Sequence, residues 1–395
     1  MSARRRAPGR PTSARAISVL TAAVLVAGPL AACSGSDSGG EAAGTGSANP
    51  STTADDTSAT SSSPSPGSSS SASPSASAPG PALPVGDGTL TPQVLQRLGK
   101  SSYSDAEMAT AAKGTWKGTQ VGALSQGEDV SLLVKQGSTW KVVGGWWPSK
   151  GAPGPYLGGK RFVLALGSDA RPGQDVQRSR ADTIQVIGLD GHGGGGILGM
   201  PRDSYVPLPG GSRGKINGAM SAAGPQGMTS TVARTTGLPL QGYLLTSMTG
   251  LTAAVNAIGG VPVTLKRQVK DVPAGSHNLN GLQALHLARE RKSLPGGDFD
   301  RSANQGLLLM SGFLKVRSEG VRTLPRIMTA IDKHVTTDLS PTQVLTFLAS
   351  AYQLNPSRIG RTVAHDGATT IGGASVVQVG PRARAEFARF RDGNL

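Results

Sequence analysis

Residues 34–82 contain no stretch able to build a core, and this limits everything else the chain can do. The run consists mainly of Ser, Gly, Ala, Thr and Pro without apolar periodicity, and it carries no Lys or Arg. Its only acids are Asp37, Glu41, Asp55 and Asp56. Such a composition buries too little apolar surface to offset the entropy of ordering a backbone. The segment is expected to be a disordered linker, spanning roughly 35–40 Å as a coil and more where Pro stiffens it. Folding is thereby confined to the residues beyond it.

What precedes the linker reads as an export signal. Arg4, Arg5, Arg6, Arg10 and Arg15 form a basic head without acids, and residues 16–32 form an apolar run broken at Gly28-Pro29. This is the layout of a signal peptide. The run is short for a membrane span and holds a helix breaker. Leu30-Ala31-Ala32-Cys33 resembles a bacterial lipobox, which implies cleavage before Cys33 and lipidation of its thiol. An ordinary signal peptide or an uncleaved anchor is the alternative. Cys33 is the single cysteine, so no intramolecular disulfide can form. The net charge is +15, and most of the excess lies beyond the linker. A folded part that basic favours anionic partners such as phosphates, anionic polymers or a membrane surface. Export argues against nucleic acid.

Two regions follow. Residues 84–150 read as a small α+β accessory domain. Thr91-Pro92 with Gly99 brackets one short helix, and Ser104 with Glu107 makes a capping box before a second. VSLLVKQGSTWKVVGGWW reads as two strands joined at Gln136-Gly137. All four tryptophans (Trp116, Trp140, Trp146 and Trp147) fall here. They form either a platform for stacking sugars or the core of a small unit. Residues 158–395 alternate strand-like runs (RFVLALGS, TIQVIGL, GGILGM) with helical ones such as SPTQVLTFLASAYQL. This predicts an α/β or α+β domain with helices packed on a central sheet.

Several constellations in this domain carry chemistry. Asp169 ends one strand and Asp182 opens the next. Two carboxylates at adjacent strand ends can converge on a hard cation such as Mg²⁺, or they can be a turn residue and a surface ion pair. Arg180, two residues before Asp182, would face the same cleft in an extended chain. Arg202-Asp203 follows a third strand, with Lys215 and Asn217 also two apart. ALHLARERKSLPGGDFDRSANQ gathers Arg289, Arg291 and Arg301 around a Pro295-Gly296-Gly297 turn. Asp298 or Asp300 is expected to cap the helix after it, where Arg301 and Gln305 share a face. Guanidinium forks and a helix N-terminus suit a phosphate ligand, although solvated arginines are the plain alternative. The five histidines lack metal-ligand spacing. No G-x-S-x-G elbow or P-loop is present, and GHGGGG reads as a turn.

The ordered set G-S-D-A-R, R-A-D-T, M-P-R-D-S-Y-V, K-I-N-G-A, A-I-G-G-V, L-N-G-L-Q-A-L-H-L-A-R-E-R and G-D-F-D-R-x-x-N-Q resembles the LytR-CpsA-Psr proteins of bacterial cell envelopes. The resemblance covers about residues 160–320. It implies a central mixed sheet with helices on both faces and a pocket for polyprenyl-linked substrates. It further implies an Mg²⁺ (or Mn²⁺) dependent phosphotransferase moving a glycopolymer from a polyprenyl-pyrophosphate carrier to peptidoglycan. The alternatives are an envelope lipoprotein that binds anionic polymer or glycan without catalysis, and a carrier-pyrophosphate hydrolase. On the resemblance, Asp169 and Asp182 are the metal carboxylates. Arg180, Arg202, Arg289, Arg291, Arg301 and Gln305 form the pyrophosphate clamp, and Asp203 is a candidate general base. The chain departs from the family pattern at Ala181, where Ser is usual, at Asp300, where Gly is usual, and at Asn304, where Arg is common. Asp300 is expected to weaken the field at Arg301. Most relatives have a transmembrane anchor, for which a lipid on Cys33 would substitute here.

Overall fold

The computed structural model describes residues 88–395. The expected signal segment, Cys33 and the 34–82 linker lie outside the described residues. Among the described residues, no helix is long and apolar enough to cross a membrane.

The first elements follow their local signals. Thr91 caps α1 (Pro92–Leu98), which has Pro in its first turn and ends on Gly99 at φ 66°. Only glycine adopts that left-handed conformation without strain. The Ser104–Glu107 hydrogen bonds also form, but residues 105–110 make only turns. The next strand begins at Ala112, leaving too little chain to propagate a helix beyond its costly nucleus.

Six strands then build one antiparallel sheet. They are β1 (Ser102–Tyr103), β2 (Ala112–Trp116), β3 (Thr119–Gln126), β4 (Asp129–Gln136), β5 (Thr139–Trp147) and β6 (Ala152–Tyr156). The order is β1-β5-β4-β3-β2, with β6 also on β5. The expected hairpin is β4–β5; the sheet around it is larger than the sequence indicated and continues past residue 150. Trp140 and Trp147 are buried on the face under α1 with Val94, Met108 and Leu133. Trp116 is buried on the other face, and Trp146 stacks on Tyr352 at 5.8 Å. A sugar-stacking platform is thus replaced by packing: the tryptophans are core and seam.

The second sheet uses β7 (Arg161–Ser168), β8 (Ala181–Leu189), β9 (Gly195–Gly199), β12 (Leu240–Thr246), β15 (Thr336–Thr337) and β16 (Ile359–Val363), in the order β15-β12-β7-β8-β9-β16. It is mixed: β12–β7 and β9–β16 are parallel, and the remaining pairs are antiparallel. Both faces are buried, so β7 is almost continuously apolar, as expected of a central strand. Val163 and Ala165 point to one core, while Phe162, Leu164 and Leu166 point to another.

The first face is covered by α5 (Asp298–Glu319), α6 (Leu324–Ile331) and α7 (Pro341–Gln353). α7 starts at a full capping box between Ser340 and Gln343. The second face is covered by α2 (Gly218–Thr236) and α8 (Pro381–Arg389), with hairpins β10 (Tyr205–Pro207)–β11 (Arg213–Lys215) and β17 (Ala368–Ile371)–β18 (Ala374–Val377) nearby. α2 breaks at Gly224-Pro225, where Gly224 takes φ 69°. A third cluster joins α3 (Met248–Ala257), α4 (Gly281–Arg289) and the hairpin β13 (Val261–Leu265)–β14 (Gly275–Leu279) to α5. The expected α/β fold with helices on both sides of a central mixed sheet is the one observed.

The two sheets share one interior. Trp116, Val121, Leu132 and Val134 of the first sheet pack in the same cluster as Val163, Ile187, Leu324, Met328 and Phe347. Gly114 on β2 lies so close to the backbone at Pro325 that a Cβ there would collide with the carbonyl.

Candidate functional site

The ends of β7, β9, β12 and β16 and the start of β8 all fall on one edge of the central sheet. This is the edge where crevices form in open α/β sheets. Each expected residue can be located relative to it.

Asp169 follows β7, and its backbone N–H donates to Arg180 O at 2.9 Å. The two strand ends are therefore zipped together, with Asp182 two residues further into β8. Arg180 is exposed. Arg202 lies just beyond β9, and its Nη1 donates to both oxygens of Asp182, at 2.8 and 2.9 Å. Arg301, in the first turn of α5, stands 3.9 Å from Asp182 and 2.7 Å from Asp298. Asp298 is also 3.8 Å from Arg202 Nε. Two carboxylates and two guanidiniums from three segments thus form a single alternating cluster. Arg202 Nε is buried without a hydrogen bond among the described residues and faces the Asp298 carboxylate.

Burial works against both positive charges, with opposite outcomes. At Arg202 the Asp182 bond, reinforced by the charges of Asp182, Asp298 and Asp203, outweighs it and raises the pKa. At Arg301 burial is stronger, and repulsion from Arg202 and Arg291 adds to it. Asp298 and Asp182 do not fully compensate, and the pKa falls below the ordinary arginine value. Burial is thus the main cost to the Arg301 charge, and the neighbouring cations add to it.

Two buried amides hold this geometry. Gln185, within β8, donates to the backbone and hydroxyl of Ser302 at 3.0 and 3.1 Å. Gln305 donates to Ala288 O at 3.0 Å and to Asp182 O at 3.4 Å. The amide group of Gln305 thus ties α4, α5 and β8 together, a positioning part in addition to any ligand contact. Gly199 permits the approach, since a Cβ there would fall 2.6 Å from the Ser302 hydroxyl.

Arg289 is the last residue of α4 and Arg291 lies just past it, both exposed. Glu290 is extended, and its carboxylate turns back onto the amides of Arg291 and Ser293. Asp203 lies aside, 3.0 Å from Lys215. Asn217 is buried, and its backbone N–H donates to Arg202 O.

Two expectations need correction. Neither Asp298 nor Asp300 caps α5: the N-cap is Gly297 at φ 55°, with no side-chain cap. Asp298 instead turns to Arg202 and Arg301. Asp300 does not point at Arg301. Its carboxylate accepts from Gly296 N at 2.9 Å and lies 3.5 Å from Arg267, which fastens the segment between β13 and β14 to the turn before α5.

Sequence reasoning missed Asp298 as a cluster member, Gln185, and His365. The His365 ring lies flat on Phe299 at 3.8 Å. Burial, aided by Arg382 and opposed by Asp366, lowers its pKa. Gln185 and His365 escape any spacing motif because their partners Ser302 and Phe299 are distant in sequence, while Asp298 reads as a helix cap although Arg301 is only three residues on. Among the described residues no group of three or more His, Cys, Asp or Glu is placed to hold a metal ion. The expected Mg²⁺ carboxylates, Asp169 and Asp182, stand at joined strand ends, and both oxygens of Asp182 accept from Arg202 Nη1.

A model of the LytR_cpsA_psr family matches residues 157–388, more than half of the chain. The probable cell wall biosynthesis protein LcpB of Corynebacterium glutamicum is 33% identical over 191 residues, 42% of this chain and 46% of that protein. The polyisoprenyl-teichoic acid–peptidoglycan teichoic acid transferase TagU of Enterococcus faecalis is 33% identical over 185 residues, 45% of this chain and 61% of that one. The matched part of the chain thus spans about half to three fifths of these relatives. Among solved structures, Bacillus subtilis TagV superposes with a TM-score of 0.52 at 24% identity, covering 58% of this chain and 95% of TagV. TagT bound to LI-WTA superposes with 0.51 at 22% identity, covering 60% and 91%. The motif order, the central mixed sheet and the match over residues 157–388 agree: this chain belongs to the LytR-CpsA-Psr family.

Proposed function

We propose that the protein is a cell-wall assembly phosphotransferase that moves a glycopolymer from a polyprenyl-pyrophosphate carrier to peptidoglycan. The observation that carries this reading is the Asp182–Arg202–Asp298–Arg301 cluster at the sheet edge. Arg291 is near enough to repel Arg301, while Arg180 stands two residues before Asp182 and Arg289 follows Ala288, whose carbonyl accepts from Gln305. Family membership supplies the reaction class, and relatives are named for transferring polyisoprenyl-linked teichoic acid to peptidoglycan.

In this reading the exposed guanidiniums of Arg180, Arg289 and Arg291 bind the diphosphate oxygens as charge-assisted donors, and Arg202, Arg301 and Gln305 complete the clamp. An acceptor sugar hydroxyl attacks the phosphorus nearer the glycopolymer. The new P–O bond forms as the bond to the bridging oxygen breaks, and polyprenyl phosphate leaves with that electron pair. The hydroxyl proton passes to a base, for which Asp203, held by Lys215, is the candidate. Catalysis rests on positioning and on cations aimed at the phosphoryl oxygens. Asp169 and Asp182 would hold Mg²⁺ (or Mn²⁺), which supplies further neutralisation of phosphate charge; binding it requires Asp182 to share its oxygens with Arg202. The reading includes export and anchoring at the outer face of the cytoplasmic membrane through a lipid on Cys33, since acylation contributes about 0.8 kcal/mol per buried CH₂. Palmitate labelling lost in Cys33→Ala tests the anchor.

The purified protein should release polyprenyl phosphate from a carrier-linked glycan only when peptidoglycan is present, and chelation should stop it until Mg²⁺ is restored. Release that ignores the acceptor would make it a hydrolase. Binding without release would make it a polymer-binding lipoprotein.

A further inference from the structure

A concavity at the same end of the central sheet is not explained by the charged cluster. It is an open hollow of about 370 Å³ whose lining includes Val176, Leu245, Thr249, Ala253, Lys333 and His334. Thr246, the last residue of β12, pairs with Gly167 on β7, two residues before Asp169. Val176 belongs to the loop between Asp169 and Arg180. One loop therefore separates this cavity from the carboxylate end of the charged site and contributes to both.

The lining has two characters. Leu245, Ala253 and Val176 contribute aliphatic carbon. The rest of the lining carries hydroxyls, the Lys333 ammonium and the His334 ring. The Thr246 hydroxyl is committed to His334 O at 2.8 Å, and Ser247 caps α3. Thr336, the Lys333 ammonium and the His334 ring have no side-chain partner among the described residues. A lining that combines aliphatic carbon with hydroxyls suits the carbon face and hydroxyl edges of a sugar ring, and Lys333 suits an anionic substituent on it. The volume sits at the low end of small-molecule sites, roughly 300–1,000 Å³. A purely isoprenoid occupant would place hydrocarbon against a cation, an unfavourable desolvation.

The first sheet fixes one wall of this cavity. Lys117, in the turn between β2 and β3, donates its backbone N–H to Asp332 Oδ1 at 3.0 Å and its Nζ to Val335 O at 2.7 Å and to Asp332 O. Residues 332–335 are thereby clamped where Lys333 and His334 line the space.

We propose that this cavity is a saccharide subsite of the transfer site, taking a sugar that bears an anionic group and held in shape by Lys117. The proposal rests on the phosphotransfer reading above. The sugar comes from either the donor glycopolymer or the peptidoglycan acceptor, and both present this chemistry.

The test titrates the full chain with three probes: a GlcNAc–MurNAc disaccharide, a sugar-bearing short polyprenyl pyrophosphate, and the same pyrophosphate without sugar. Lys333→Glu and the cavity-filling Thr249→Trp should each weaken a sugar-bearing probe by about tenfold or more, a change near 1.4 kcal/mol. Binding of the sugar-free pyrophosphate should stay within about twofold on the same scale. Loss on the disaccharide identifies the acceptor as the source; loss only on the sugar-bearing pyrophosphate identifies the donor. Lys117→Met should raise KM for the same sugar while leaving kcat little changed, as expected for positioning. The proposal is overturned if no sugar-bearing probe responds to Lys333→Glu or Thr249→Trp in folded protein. Equal loss of the sugar-free probe would also overturn it, since the cavity would then hold lipid. Failure of every pyrophosphate probe to bind the unmodified protein, with the disaccharide still responding to Lys333→Glu, would instead reject the phosphotransfer reading.

Discussion

Two arginines, one at each end of the central sheet, are buried to the same degree and live in opposite surroundings. Arg301, 6% exposed, sits at the edge where β7 and β9 end, between Asp298 and Asp182, with Arg202 and Arg291 close by. Arg161, 5% exposed, opens β7 at the other end and has a single hydroxyl partner, Thr346 at 3.0 Å. Its Nε is buried without a hydrogen bond among the described residues, and burial alone lowers its pKa to about 10. Burial is therefore not what marks a site. At Arg161 a cation is tolerated by packing; at Arg301 cations and carboxylates are gathered from several segments.

Removing the shared carboxylate tests this contrast most severely. Asp182→Ala leaves Arg202 and Arg301 without their common partner and should lower transfer by about 10²–10³-fold, in line with the loss of preorganised electrostatics. Steady-state release of polyprenyl phosphate measures it, and near-normal turnover would break the site reading. Next in size, Arg289→Ala should reduce turnover by roughly 10²-fold while thermal unfolding stays unchanged, because the side chain is exposed. A large fall in Tm would mean that Arg289 is structural. At the other end of the sheet, Arg161→Met should leave turnover intact. Stability should stay within about 1 kcal/mol or improve, since an unpaired buried charge is replaced by an apolar chain of similar reach. Lost activity there would erase the distinction between the two ends.

The smallest effect concerns His365. Its folded-state pKa lies below its ordinary value of 6.5, so between the two values the unfolded chain binds more protons. Its contribution to stability is thus complete above pH 6.5 and declines as pH falls below that value. Denaturation midpoints of His365→Phe should fall less steeply than those of the parent protein over this window. Parallel curves would show that the ring's surroundings do not hold it neutral.

These contrasts also mark what could be read from the sequence. The strands β7, β8 and β9 declared themselves as apolar runs, and α7 as a helical one, because those signals are local. Arg202, Arg301 and Asp182 could be named from motifs. Their mutual contact is a product of three-dimensional closure, as is the part of Asp298, which looked like a helix cap. Gln185 was hidden for a different reason: a polar residue inside an apolar strand gives no hint of its partner at Ser302. The first sheet was under-read because β2 and β6 are rich in Gly, Pro, Lys and Thr and show little alternation. Asp300 was misjudged because charge alone does not tell where a carboxylate points.

The close approach at Gly114 has a consequence for handling the protein. The N-terminal sheet is seated on α6 and α7 as one half of a common interior, so a fragment beginning near residue 157 would bare Leu324, Met328, Leu345 and Phe347 to water. Trimming the chain to the family-matched region would therefore create a sticky surface that the N-terminal sheet otherwise covers.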